Sequence, residues 1–223
     1  MMGLDAPRLR WFWVVAAGLA ATLSIFMACD SSVDPAGGPD DLTGGSDGEV
    51  RFPLGSWSVI QDFGVWNDNF QGFHLAEDVS VVPGTPVLAV ADGVVGGVFV
   101  APQVSGYGGV VMIEHKIGDQ FFTTLYGHVS RRRGIQVTPG QEVTSGEVIA
   151  FIADDDEDGG PWGPHLHFGI RSGPYVITAE ICGDWLYVGY TRACPGVTHE
   201  QYRGFWFDPT DFLESKGGRR PRP

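Results

Sequence analysis

Short runs rich in valine and isoleucine, separated by glycine, proline and aspartate, constrain the fold more than any other feature of this sequence. The runs are Pro86–Val90, Val94–Val100, Val110–His115, Phe121–Tyr126 and Glu147–Ile152. Short apolar runs bounded by turn-forming residues are typical of β-strands. No long stretch after residue 28 shows the periodicity of a helix, so the sequence predicts a mostly β, antiparallel sheet domain over residues 51–215.

Four of the six histidines fall into three short segments together with one aspartate. His74 and Asp78 are four residues apart, and His128 follows a Tyr-Gly pair. His165 and His167 flank a single leucine. Imidazole nitrogen and carboxylate oxygen are both common zinc ligands, and a catalytic zinc usually keeps one position open for water. The combination favours a catalytic zinc site over histidines scattered on a solvated surface.

The last of these segments has the alternation of a strand. Residues 165–171 read His-Leu-His-Phe-Gly-Ile-Arg. Side chains at positions i and i+2 of a strand point to the same face, so His165 and His167 are expected to face one cleft. Leu166 and Phe168 are then expected to face the core.

The three segments together resemble the lysostaphin-type (LytM-like) zinc metalloendopeptidases, which cut peptide cross-links of bacterial cell walls. That family carries a His-x-Gly-x-Asp segment, a Tyr-x-His segment and a terminal His-Leu-His. The counterparts here are His74-Leu-Ala-Glu-Asp78, Tyr126-Gly-His128 and His165-Leu-His167. Intervening segments such as Pro83-Gly-Thr-Pro-Val87 are similar too, and the resemblance covers about residues 54–171.

The resemblance implies Zn²⁺ held by His74, Asp78 and His167, with His128 and His165 as catalytic histidines that do not bind the metal. The glutamate of an HExxH zincin is absent, so a histidine must take the proton. His165 is the expected general base and His128 the expected donor to the oxyanion, although these two roles could be exchanged.

The expected function is hydrolysis of peptide cross-links in bacterial peptidoglycan by a metal-activated water. A non-catalytic envelope regulator that activates other cell-wall hydrolases is the alternative, because some relatives that have lost part of the site act in this way. All five site residues are present here, which favours the enzyme.

Two segments depart from the family pattern. Ala76 stands where the family usually has glycine, which leaves the ligand spacing intact. An acidic run from Asp154 to Asp158 replaces a short turn rich in glycine, serine and threonine. Such a run is most often a solvated loop, and we expect that here in preference to a calcium site.

The N-terminus has the form of an export signal. Arg8 and Arg10 precede an uncharged apolar stretch from Trp11 to Ala28. The sequence predicts a lipoprotein-type signal peptide over residues 1–28, with Cys29 as the lipidated residue. An uncleaved membrane anchor is the rival interpretation. Both place the remaining chain in the cell envelope, membrane-anchored and facing the periplasm or the outside.

Lipidation of Cys29 would leave two of the three cysteines as a pair. Cys182 and Cys194 are therefore predicted to form a disulfide in an oxidising compartment, stapling an excursion over residues 173–205. The aromatic residues of this excursion are expected to pack within it, with the wall of a substrate groove as the alternative. His115 and His199 match no catalytic segment and are expected to be structural.

The two ends of the domain are predicted to be unstructured. Residues 29–50 are rich in aspartate, glycine, proline and serine, so we expect a flexible tether. Residues 216–223 form a basic, proline-bearing tail that is expected to be disordered. The net charge of −13 argues against a nucleic-acid partner, which would favour a basic face.

Overall fold

The structure, a computed structural model, describes residues 49–100, 108–157, 162–177, 189–191, 198, 200–201 and 204–223. Its strands are β1 (Val59–Gln61), β2 (Trp66–Asn67), β3 (Gly72–Phe73), β4 (Glu77–Ser80), β5 (Pro86–Leu88), β6 (Gly93–Val100), β7 (Gly109–Ile117), β8 (Gln120–Val129), β9 (Glu142–Val143), β10 (Val148–Phe151), β11 (His165–Ser172) and β12 (Trp206–Phe207). A short helix, α1 (Pro209–Ser215), follows the last strand.

Among the described residues, eight strands form one antiparallel sheet in the order β1-β4-β11-β8-β7-β6-β9, and β12 pairs with β11. β5 pairs with β10, and β2 pairs with β3, in two small antiparallel sheets. The predicted mostly antiparallel β fold is confirmed. The five valine- and isoleucine-rich runs coincide with β5, β6, β7, β8 and β10.

The longest hairpin of the sheet is closed by a tight turn. Ile117 of β7 pairs with Gln120 of β8, which leaves a loop of two residues. The first of these, Gly118, has φ of 58°, a conformation that glycine adopts without steric cost. The turn sets the register of β7 and β8, and β8 in turn pairs with the strand that carries His165 and His167.

The core lies against the sheet and under α1. Leu166 and Phe168 of β11 are fully buried in it, as the alternation of that strand predicts. Phe212 and Leu213 of α1 join the same cluster. α1 begins at a favourable cap, because the side chain of Asp208 accepts a hydrogen bond from the backbone of the first turn.

The first residues after α1 contact the helix, although residues 216–223 were expected to form a disordered tail. The N–H of Gly218 donates to the carbonyl of Leu213 at 2.9 Å. Arg220 forms an ion pair with Glu214 at 2.9 Å. Gly218 is itself buried, because the chain turns back over the end of the helix at Gly217, where φ is 90°. These contacts extend past residue 215, the predicted end of the domain.

The acidic run is paired with three consecutive arginines that follow β8. Arg133 makes two hydrogen bonds to the carboxylate of Asp154 at 2.9 and 3.0 Å, and Arg132 binds Asp156 at 2.7 Å. Glu157 is buried, where it accepts hydrogen bonds from the Ser130 hydroxyl and from a backbone N–H. The acidic side chains in the described part of this run thus attach it to the domain. A loop that is only solvated would not make these contacts.

Several predictions concern residues outside the described ranges. These are the signal over residues 1–28, Cys29, most of the tether, Cys182, Cys194 and His199. In the part of the chain that the structure describes, no helix has the length and apolar character needed to span a bilayer.

Candidate metal centre

Two adjacent strands bring the first pair of polar side chains together. His167 of β11 lies directly opposite Asp78 of β4 in the antiparallel register. Residues opposite each other on neighbouring strands project from the same face, so these two side chains meet. Nδ1 of His167 is 2.8 Å from Oδ1 of Asp78, and both side chains are buried.

His74 completes a cluster of three donor atoms. It follows β3 directly, and its Nε2 lies 3.1 Å from Nδ1 of His167 and 3.2 Å from Oδ1 of Asp78. Among the described residues, these three form the one group of histidine, cysteine or acidic side chains with the geometry of a metal site. The residues expected from the sequence to bind zinc are therefore neighbours in the fold.

The donor atoms fit a tetrahedral zinc ion. Zinc–nitrogen and zinc–oxygen bonds of about 2.0–2.1 Å place ligand atoms roughly 3.3 Å apart, close to the 2.8–3.2 Å separations in this cluster. Nδ1 of His74 donates to the carbonyl of Asp62 at 3.0 Å, so the lone pair of the neutral ring lies on Nε2. That lone pair faces a carboxylate oxygen, an arrangement that a cation between them would stabilise.

The protonation states also suit a metal. Burial lowers the pKa of His167 to about 3, although hydrogen bonding to Asp78 and the charge of Asp78 oppose this shift. Burial alone would raise the pKa of Asp78, but hydrogen bonds and charge from His167 and His74 lower it below its ordinary value. A neutral imidazole and an ionised carboxylate are the forms that bind zinc.

His128 is aimed toward the cluster by an irregularity in β8. Between Gly109 and Val111 of β7 the register shifts, so that β8 carries one extra residue there. Such a β-bulge redirects the side chains next to it. His128 has φ of 57°, which is unusual for a residue with a Cβ, and its ring centroid is 4.3 Å from that of His165.

His165 lies between His128 and the cluster. Its Nδ1 donates to the carbonyl of Gly163 at 2.9 Å, so the neutral ring carries its lone pair on Nε2. That nitrogen is 3.7 Å from Oδ2 of Asp78. The geometry leaves Nε2 oriented to accept a proton beside the metal ligands.

The five residues predicted from the sequence therefore share one small region, and a cavity of about 190 Å³ opens onto three of them, Asp78, His128 and His165. Phe70, Trp162 and Tyr190 form aromatic walls of the same cavity. Sequence reasoning did not assign these three to the site. The aromatic content of the excursion was the available signal for Tyr190, and the structure favours the groove-wall alternative for that residue over packing within the excursion alone.

The fold and this cluster define a β domain with a candidate metal centre, and comparison with known proteins gives its class. Residues 72–178 match the model of Peptidase family M23. Residues 72–178 therefore form a domain of this family, as the resemblance to lysostaphin-type enzymes implied.

Several relatives are similar to part of this chain. DD-carboxypeptidase/endopeptidase Mpg of Neisseria meningitidis is 39% identical over 98 residues, which cover 44% of this chain and 20% of that protein. The murein hydrolase activator EnvC of Escherichia coli is 39% identical over 103 residues, covering 46% of this chain and 21% of EnvC. The uncharacterized lipoprotein YgeR of Escherichia coli is 35% identical over 94 residues, 42% of this chain and 33% of YgeR. The chain thus matches a fifth to a third of the length of these relatives.

Solved structures support the fold. The NMR structure of lysostaphin aligns with a TM-score of 0.53 at 19% identity, covering 78% of this chain and 57% of that chain. A crystal structure of cbpa from L. salivarius REN aligns with a TM-score of 0.50 at 23% identity, covering 76% and 97%.

Proposed function

We propose that this protein is a zinc-dependent endopeptidase that hydrolyses peptide cross-links of bacterial peptidoglycan. The observation that carries the proposal is that three ligand-type side chains lie together, and that a cavity opens onto one of them, Asp78, and onto two further histidines. The relative named a DD-carboxypeptidase/endopeptidase supports the same class of reaction.

In this proposal His74, Asp78 and His167 hold zinc, which supplies a Lewis acid and a water of lowered pKa. His165 accepts the proton from the attacking water, because its Nδ1–H is held by a backbone carbonyl and its Nε2 is the basic nitrogen. His128 donates to the developing oxyanion from the neighbouring position.

A regulator of other cell-wall hydrolases is the second candidate. The similarity to a murein hydrolase activator is the observation that favours it. The presence of all five site residues favours the enzyme, because a protein that acts only by binding needs neither the ligands nor the paired histidines.

Mass spectrometry of fragments released from purified peptidoglycan distinguishes the two functions. The purified protein with zinc is expected to release muropeptides cut within their peptide moieties, and the bonds cut identify its specificity. His165→Ala is the matched control, since it is expected to bind zinc and to release fragments at least about 100-fold more slowly. Failure of the wild-type protein to cut any peptidoglycan, together with stimulation of a separate hydrolase, would assign it to the regulators.

We further propose that Cys29 is lipidated and that Cys182 and Cys194 form a disulfide. Cysteine parity and the apolar N-terminal stretch support both assignments, and one relative is named a lipoprotein. Non-reducing peptide mapping is expected to find the Cys182 and Cys194 peptides linked. Two alkylated thiols at these positions would refute the disulfide.

A further inference from the structure

A segment beyond the family match docks beside the metal ligands. Residues 189–191 follow the matched range of residues 72–178. The N–H of Leu75 donates to the carbonyl of Gly189 at 2.8 Å, and the N–H of Thr191 donates to the carbonyl of Phe73 at 2.9 Å. These bonds fix residues 189–191 on both sides of His74.

Two glycines allow the backbones to approach this closely. A Cβ at Gly189 would overlap Nε2 of His167, and a Cβ at Gly72 would overlap the carbonyl of Thr191. Gly189 also has φ of 64°, which residues with a side chain rarely adopt. The contact between the segment and the metal ligands therefore depends on glycine on both sides.

Tyr190 of this segment packs on two of the proposed ligands. Its ring centroid lies 4.9 Å from that of His74 and 5.4 Å from that of His167, with interplanar angles of 34° and 24°. The tyrosine ring also stacks on Phe70, with centroids 4.1 Å apart. Two imidazoles are thus held against an aromatic ring that is itself held in a stack.

The hydroxyl of Tyr190 is hydrogen-bonded to another residue that lines the cavity. Gln61 Nε2 donates to this hydroxyl at 3.2 Å, and the amide of Asn67 reaches the Gln61 carbonyl oxygen at 3.5 Å. Gln61 belongs to β1, which pairs with the strand of Asp78. The tyrosine is therefore oriented by contacts on its ring and on its hydroxyl.

We propose that Tyr190 is a positioning residue of the metal centre, and that residues 189–191 of the excursion form part of the site. The ring limits rotation of the imidazoles of His74 and His167 and so preorganises the ligand set. This inference rests on the proposed zinc site but not on peptidase activity. Groups that orient metal ligands typically contribute about 10–100-fold to metal affinity.

Zinc affinity and the visible spectrum of the cobalt-substituted protein test this role. Tyr190→Leu removes the aromatic ring, and zinc is expected to bind about 10-fold more weakly in competition with a chromogenic chelator. The Co²⁺ absorption bands, which report ligand geometry, are expected to change. Tyr190→Phe keeps the ring and is expected to restore the affinity to within about threefold of the wild type.

Tyr175→Leu is the matched control, because Tyr175 belongs to the same excursion but packs on Gly96, away from the ligands. Its zinc affinity and spectrum are expected to equal those of the wild type. Thermal unfolding of the metal-free proteins reports whether each variant folds. Gly189→Ala provides a second test that keeps the tyrosine, since its Cβ must displace the segment from His167 and weaken zinc binding.

Wild-type zinc affinity and Co²⁺ spectra in both Tyr190→Leu and Gly189→Ala would overturn the inference, as would an equal loss in Tyr175→Leu. A protein that cuts no peptidoglycan yet shows the predicted order of zinc affinities would refute the proposed function and leave the positioning role intact.

Discussion

His128 combines a strained backbone with a proposed role in catalysis. Its φ of 57° costs a residue with a Cβ about 1 kcal/mol, and strain of this kind is concentrated at functional sites. His128→Gly and His128→Ala both remove the imidazole and are expected to lower activity by roughly 100-fold. The Gly variant is expected to be about 1 kcal/mol more stable than the Ala variant in urea denaturation.

The same pair of substitutions at Thr123 is the control. Thr123 lies in the same strand, and it is not among the non-glycine residues with positive φ. There, Gly is expected to be less stable than Ala by about 0.5–1 kcal/mol. The same order of stability at both positions would contradict the assignment of strain to His128.

The lowered pKa of His115 predicts how the stability of the domain depends on pH. Its ring is buried, Nδ1 donates to the carbonyl of Asp92, and burial lowers its pKa from 6.5 to about 4. The unfolded chain protonates His115 more readily than the folded protein does. The contribution of the neutral His115 ring to folding stability is therefore present at neutral pH and is lost as the pH falls from 6.5 toward 4. The loss is roughly 3 kcal/mol by pH 4.

Urea denaturation of the metal-free protein at several pH values in this range measures the effect. His115→Asn retains a neutral donor for the Asp92 carbonyl and is expected to show a weaker dependence of unfolding free energy on pH. Parallel pH profiles for the two proteins would show that His115 does not titrate on unfolding.

At the scale of secondary-structure elements, the strands that have a clear local sequence pattern were the ones predicted from the sequence. The alternation over residues 165–171 predicted the face and burial of β11, and valine-rich runs predicted the long strands. The short strands β1 to β3 carry no such pattern: β1 pairs with β4, and β2 and β3 pair with each other. The docking of Tyr190 beside His74 depends on the path of the excursion, which a single sequence does not encode locally.

One threonine links α1 to the sheet by hydrogen bonds, in addition to the apolar contacts of the helix. Trp57 Nε1 donates to the Thr210 hydroxyl at 2.8 Å, and that hydroxyl donates to Glu77 at 2.7 Å. Thr210→Val removes the bridge and leaves two buried polar groups without this partner, so we expect a loss of about 2 kcal/mol in unfolding free energy. Thr144→Val, at an exposed position, is expected to change it by less than about 0.5 kcal/mol. Equal effects would argue against the bridge.

At the scale of the whole molecule, the proposed lipid anchor would hold the protein at a membrane surface, next to the proposed peptidoglycan substrate. Cys29→Ser is expected to abolish incorporation of a fatty-acid probe and to leave an unprocessed precursor. If the wild-type protein takes up no label and retains Met1, the lipoprotein interpretation is wrong and a membrane-spanning anchor is favoured instead.

Metal content measured beside peptidoglycan hydrolysis tests most directly whether the five side chains form one zinc-dependent catalytic site, as we propose. Alanine at His74, Asp78 or His167 is expected to remove most of the zinc and the activity. Alanine at His128 or His165 is expected to keep nearly one zinc per protein and to lower activity about 100-fold or more. Wild-type zinc content in His167→Ala, or loss of zinc in His165→Ala, would contradict this division of roles. A wild-type protein that binds zinc but hydrolyses no peptidoglycan would contradict the proposed enzymatic activity.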